Sequence, residues 1–158
     1  DNRAASTPII EALSRPGGRV HLACMKEPWA SYIADGSKVV ESRWGKVRCA
    51  PHGCVSEGDV VIWKRSGGAV YGASVVVSAT TIPVRDDAHG GDLLRAHGAE
   101  IRVDPNDGAR VAGKRWLTLI RVGAFVALPS KAACGKNDQA GWNVLQGERG
   151  PGLFGVTP

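Results

Sequence analysis

Residues 26–44, Lys26-Glu-Pro-Trp29-Ala-Ser-Tyr32-Ile33-Ala-Asp-Gly36-Ser-Lys38-Val-Val-Glu41-Ser-Arg43-Trp44, bring acid, base and aromatic side chains together at close spacing. In an extended segment Glu41 and Arg43 leave the same face with one residue between them, within reach of a hydrogen-bonded ion pair. By the same alternation Lys38 leaves the opposite face, unless the turn after Gly36 bends it round. If all three line one hollow, Lys38 and Arg43 grip phosphate while Glu41 accepts from an exocyclic amine on a base edge. A carboxylate repels phosphate, so its presence points to base reading or to holding the cations in place. The plainer alternative is a structural Glu41–Arg43 pair beside a solvated lysine.

The basic character extends beyond this stretch. Lys26, Lys38, Arg43, Lys46, Arg48, Lys64 and Arg65 interleave with Trp29, Trp44 and Trp63, while Glu27, Asp35, Glu41, Glu57 and Asp59 offset five of the seven charges. A patch therefore requires sorting in space. Cations among aromatics are the ingredients of a single-strand nucleic-acid site, where stacking contributes roughly 1–3 kcal/mol per base. Trp44, beside a Gly-Lys loop, is the stacking candidate, whereas Trp29 reads as core, Trp116 as core and Trp142 as a lid. The nucleic-acid-binding candidates are thus Lys26, Lys38, Glu41, Arg43, Trp44, Lys46, Arg48 and Lys64. For catalysis, Lys38 with Tyr32, Glu41 and a loop hydroxyl such as Ser130 suits a metal-independent site in which lysine stabilises phosphorane charge and a phenol moves protons. Cys49, His52 and Cys54 match no zinc spacing, and the aspartates fall at helix starts and turns, so neither metal nor cofactor is expected.

The elements that must position these groups follow from pattern. Thr7 to Arg15 is a helical candidate with Pro8 in its first turn, inside a lead-in over residues 1–18. Arg19 to Cys24 reads as a strand, and residues 27–36 as a two-turn helix closed by Gly36, with Trp29, Tyr32 and Ile33 on one face. Ser37 to Trp44 is a β-rich strand and 45–58 a loop. Val60 to Arg65 turns at Ser66-Gly-Gly into Ala69 to Ile82, whose Val75-Val76-Val77 run suits burial on both faces. Asp86 to Ile101 reads as a helix weakened by Gly90, Gly91 and Gly98, and Arg115 to Val122 as another strand. The fold class expected is α+β: a small β-barrel of about five to six strands with short flanking helices over residues 19–145, then a tail over 146–158.

Composition bounds the rest. The 158 residues hold 21 Gly and 9 Pro, about 19%, which is turn-rich but short of low-complexity disorder. Collagen, coiled coil and a disulfide miniprotein are excluded. A net charge of +5 and a pI near 9.3 favour polyanionic partners. No apolar run approaches a membrane span or a secretory leader, and scattered cysteines suit a reducing compartment, so a cytoplasmic protein is expected.

The ordered set of the Pro28-Trp29 helix, Gly36-x-Lys38-x-x-Glu41-x-Arg43, the Gly58-Asp59 step and the Gly72-Ala-Ser-Val-Val-Val strand resembles an ASCH domain, a branch of the PUA-like superfamily. The resemblance covers roughly residues 20–82, and Gly141-Trp142 fits less specifically. It implies a PUA-like β-barrel with a cleft between barrel and helices, where relatives are proposed to hold RNA or modified nucleotides. Some relatives are described as ribonucleases and a few as amidohydrolases on acylated cytidine. That amidohydrolase branch has a lysine followed three residues on by a threonine nucleophile. Lys38 matches, but Glu41 stands at the threonine position, where a glutamate acts only as a general base toward water. The partner expected is single-stranded RNA or a modified nucleotide; a hydrolase using Lys38 is the alternative.

Overall fold

A computed structural model describes residues 2–129 and 141–146. Its elements run α1 (Asn2–Ser14), β1 (Val20–Met25), α2 (Trp29–Ala34), β2 (Val40–Gly45), β3 (Val60–Arg65), β4 (Val70–Pro83), α3 (Asp87–Ile101), α4 (Gly108–Val111), β5 (Trp116–Val122), β6 (Val126–Ala127) and β7 (Trp142–Gln146). The α+β class is as expected; closure into a barrel is not seen among the described residues. Among the described residues seven strands form one sheet in the order β2-β5-β4-β3-β1-β7, with β6 on β4, and no ladder joins β2 to β7. The gap is spanned by a side chain instead of a ladder. From β2, Arg43 donates through Nη1 to the Gly141 carbonyl (3.1 Å) and through Nη2 to the Cys24 carbonyl (2.9 Å).

The sheet curls because β4, fourteen residues long, pairs with β3 through its first half and with β5 through its second. β1 and β3 pair in parallel, a long-range contact that local pattern does not reveal. β3 is apolar on both faces for a clear reason. Val61 and Trp63 point into the interior with Met25, Ile33, Ile120 and Trp142, while Val60 and Ile62 meet Ile9 and Ala12 of α1 on the other side. The first helix is therefore packed against the sheet, and it begins before Thr7, so Pro8 lies inside it instead of in its first turn. The Val75-Val76-Val77 run is buried only at Val76; Val77 is half exposed.

The last core layer carries the wall of the site. α3 lays Leu94 and Ile101 on Val40 and Leu119 of the β2–β5 pair. Asp86 caps it by accepting from the His89 amide (2.8 Å), and Arg102 ends it in the left-handed region (φ 60°). The glycines that weaken its propensity serve close packing. A Cβ on Gly90 would stand 3.2 Å from Val111 of α4, and one on Gly98 would stand 3.1 Å from the Val103 carbonyl. No helix among the described residues is long and apolar enough to cross a membrane.

Candidate functional site

Gly36 turns the chain out of α2 with φ 78°, and the Asp35 carboxylate and Tyr32 carbonyl hold the turn by accepting from the Ser37 and Lys38 amides. Lys38 thus precedes β2 instead of lying in it, and strand alternation does not govern its direction. Its side chain bends inward to 2% exposure, with Nζ 2.5 Å from the Ile101 carbonyl and 3.8 Å from Glu41 Oε1. Glu41, itself buried, accepts from the Ser42 amide (2.7 Å) and reaches Arg43 Nη2 at 3.5 Å, so one carboxylate lies between two cations. The plainer expectation, a solvated lysine, does not describe this geometry.

Burial pushes the Lys38 ammonium below its usual range; Glu41 opposes that push, and the guanidiniums of Arg43, Arg110 and Arg102 add to it. The contact with Ile101 also has a mechanical meaning. Ile101 closes α3, and the next carbonyl, that of Arg102, accepts from Trp29 Nε1 (2.9 Å). Two side-chain donors, one from the first residue of α2 and one from the turn after it, therefore tie down the end of α3, whose last carbonyls lack intrahelical partners.

Above this floor opens a cleft of about 900 Å³. Lys26, Lys38, Glu41, Arg43, Trp44 and Lys64 line it, as does Trp29, which sequence reading assigned to the core. Arg110, Lys114 and Asp107 complete the opposite wall, some seventy residues away in sequence and missed there, since α4 is a single short turn with no motif. Six cations thus face two carboxylates, a formal excess of four where the sequence window gave two. Arg110 lies over the Trp29 ring (5.1 Å) and beside Asp107 (3.4 Å), and the Trp44 indole N–H and Arg43 Nε are buried without a hydrogen-bond partner among the described residues.

Other predicted residues stand elsewhere. Lys46 and Arg48 do not line the cleft; they sit past the end of β2, with Arg48 over the Trp116 ring (5.1 Å). Tyr32 packs its ring under Arg102 (3.9 Å) and is not among the lining residues, because its position on α2 faces the α3 end instead of the cleft floor. Ser130 lies outside the described residues. His52 is buried against Thr118 (Nδ1 to Oγ1, 2.8 Å), and burial lowers its pKa; Cys49 is exposed. Among the described residues no three His, Cys, Asp or Glu side chains gather as metal ligands.

Trp142 is a core residue and not a lid. Its indole N–H donates to His21 Nδ1 (3.1 Å), which leaves the ring proton on Nε2 to reach Asp59 Oδ2 (2.8 Å). Asp59 also accepts from the Arg19 and Ser56 amides, each at 2.9 Å. The far end of this chain touches the site, because the Arg43 guanidinium lies 5.2 Å above the Trp142 ring.

Comparison with known proteins gives the fold and little more. No family model matches the chain and no curated protein matches it. Solved structures do. A serine-to-alanine mutant of ASCH from Zymomonas mobilis superposes with a TM-score of 0.61 at 14% identity, covering 84% of this chain and 92% of that one. A tyrosine-to-phenylalanine mutant of the same protein (0.59, 14%, 80% and 90%) and ASCH from Zymomonas mobilis itself (0.58, 14%, 80% and 87%) agree. The chain has an ASCH-like fold.

Proposed function

We propose that the chain binds single-stranded RNA or a modified nucleotide in this cleft. The observation that carries the reading is the sorting of charge: six cations from distant segments converge on one hollow that also exposes two tryptophans. Phosphate falls to the rim cations Lys26, Lys64, Arg110 and Lys114, since Lys38 is buried and its Nζ, like Arg43 Nη1 and Nη2, is directed at carbonyls within the fold. Glu41, held between two cations, is the acceptor for an exocyclic amine, and the half-buried face of Trp44 takes the base.

Fluorescence anisotropy with a labelled single strand tests this. Affinity is expected to fall with salt at a log–log slope of about −2 to −3, three to four phosphate contacts at about 0.7 ions each. Arg110→Ala and Lys114→Ala should each make the slope shallower by about 0.7. A flat salt response would remove the phosphate contacts from the account.

A second reading, hydrolysis of RNA or of acylated cytidine, draws support from one observation, the buried Lys38 whose lowered pKa suits proton transfer. Turnover of labelled RNA or N4-acetylcytidine that disappears in Lys38→Ala is the expected signature. No turnover by the unsubstituted chain leaves binding alone.

A further inference from the structure

We infer that the open edge of β2 reads the base, its main chain selecting adenine or cytosine by the exocyclic amine and the ring nitrogen beside it. This rests on the cleft reading above and names the class of base the cleft takes.

Four consecutive residues of β2, Glu41 to Trp44, line the cleft, although a strand turns alternate side chains to opposite faces. Glu41 pairs with Ile120 of the interior cluster, and Ser42 with Leu119 on the face that meets α3. The walls divide in the same way: Met25 belongs to the interior cluster and Val103 to the α3 cluster, and both line the cleft. A hollow bounded from both faces of a strand runs along its edge. β2 ends the strand order and pairs with β5 alone among the described residues, so that edge is open. Backbone direction decides which groups it presents. The Val122 and Arg115 amides donate to the Val39 and Gly45 carbonyls (2.9 and 2.8 Å), so the odd-numbered residues address β5 and the main chain of Ser42 and Trp44 points away from it. Accordingly the Ser42 amide is taken by Glu41 Oε1 (2.7 Å) and not by a strand. The Ser42 carbonyl and the Trp44 amide have no partner among the described residues.

The edge thus offers the Glu41 carboxylate, the Ser42 carbonyl and the Trp44 amide, two acceptors and then a donor. An open edge commonly pairs with another strand, but the capped Ser42 amide interrupts such a ladder, which favours a short planar partner. Cytosine and adenine each carry an amine with two hydrogens beside a ring nitrogen that accepts. The amine meets the two acceptors and the ring nitrogen meets the Trp44 amide. Uracil and guanine place a carbonyl oxygen where that amine stands and an N–H at the ring nitrogen, so both contacts become repulsive.

Anisotropy with labelled uridylate hexamers tests this, the central residue being uridine, cytidine, 3-deazacytidine, which lacks the ring nitrogen, or zebularine, which lacks the amine. The cytidine hexamer is expected to bind about 5- to 150-fold more tightly than all-uridine, and each analogue to lose about 2- to 12-fold against cytidine. Trp44→Pro removes the amide at a position whose N–H does not serve the β5 ladder. In it the penalty for 3-deazacytidine should vanish, whereas Trp44→Ala, which keeps the amide, should weaken every hexamer and retain that penalty; thermal melts check that both variants fold. Equal binding of the four hexamers by the unsubstituted chain, or a 3-deazacytidine penalty that survives in folded Trp44→Pro, overturns the edge reading and leaves the cleft reading in place. No binding of any hexamer overturns both.

Discussion

Asp59→Ala is expected to lower the unfolding free energy by about 3–5 kcal/mol, a large fraction of the 5–15 kcal/mol that holds an ordinary domain together. The carboxylate is 2% exposed and uses both oxygens: Oδ1 accepts from the Arg19 amide, Oδ2 from the Ser56 amide and from His21 Nε2. Removing it strands the buried His21 Nε2–H, at about 1–3 kcal/mol when left unpaired, together with two part-buried amides that water satisfies in part, and the empty space left in the core adds to the loss. Asn is nearly as harmful, because it offers one oxygen and turns its amide nitrogen toward an N–H that must donate. Burial acts to raise the Asp59 pKa, but the bonds from His21, Arg19 and Ser56 outweigh it and hold the carboxyl below its ordinary 3.8. A depressed carboxyl stabilises the fold fully above pH 3.8 and loses that contribution as pH falls through the lowered folded value. Urea titrations from pH 7 down to pH 3 should show the unsubstituted chain converging on Asp59→Asn at the acid end. A loss below 1 kcal/mol at pH 7 in both variants would make the network dispensable.

Asp59 also shows how a motif can be read before its cause is known. The Gly58-Asp59 step marked the resemblance as a pair of letters; its physical content is a carboxylate that joins the entries of β1 and β3 and, through His21 and Trp142, β7. Local elements were legible where local chemistry decides them: the capped helix from Asp86, the Gly36 exit from α2, the Ser66-Gly-Gly hairpin. Pairings between distant segments were not. Nothing local announces the parallel β1–β3 ladder, the two-residue β6 or β7 at Trp142, and among the described residues it is the Arg43 side chain, not a ladder, that bridges from β2 to Gly141 beside β7. The site divides the same way. Lys38, Glu41, Arg43 and Trp44 lie within one turn and one strand and were found together. Arg110 and Lys114 reach the cleft only because α3 returns the chain across β2, and Lys38 enters it by the route the sequence leaves open, a turn after Gly36 that bends it round.

The buried lysine carries the second large effect. Lys38→Met is expected to cost about 1–3 kcal/mol at pH 7: the Ile101 carbonyl loses its donor and Glu41 one of two cations, while relief from burying an ammonium offsets part of the loss. A double-mutant cycle with Glu41→Gln should return a coupling of about 0.5–3 kcal/mol. The sign of the pH dependence separates this lysine from an exposed one. Its folded pKa lies below the ordinary 10.5 because burial disfavours the charge. Between that lowered value and 10.5 the unfolded chain keeps a proton the folded chain has released, so stability rises with pH across the window, and below it the full burial cost is present. The substituted chain has no such group, so denaturant midpoints of the two chains should diverge from pH 7 to pH 10. Tyr71, whose pKa burial raises, lowers stability above pH 10 in both chains and cancels in the comparison. Binding supplies the remaining distinction. If the cleft binds a strand as proposed, Nζ, committed to the end of α3, contributes only through the wall that carries Arg110 and Lys114, so Lys38→Met should weaken affinity and leave the salt slope unchanged. A slope shallower by about 0.7 would instead make Lys38 itself a phosphate ligand.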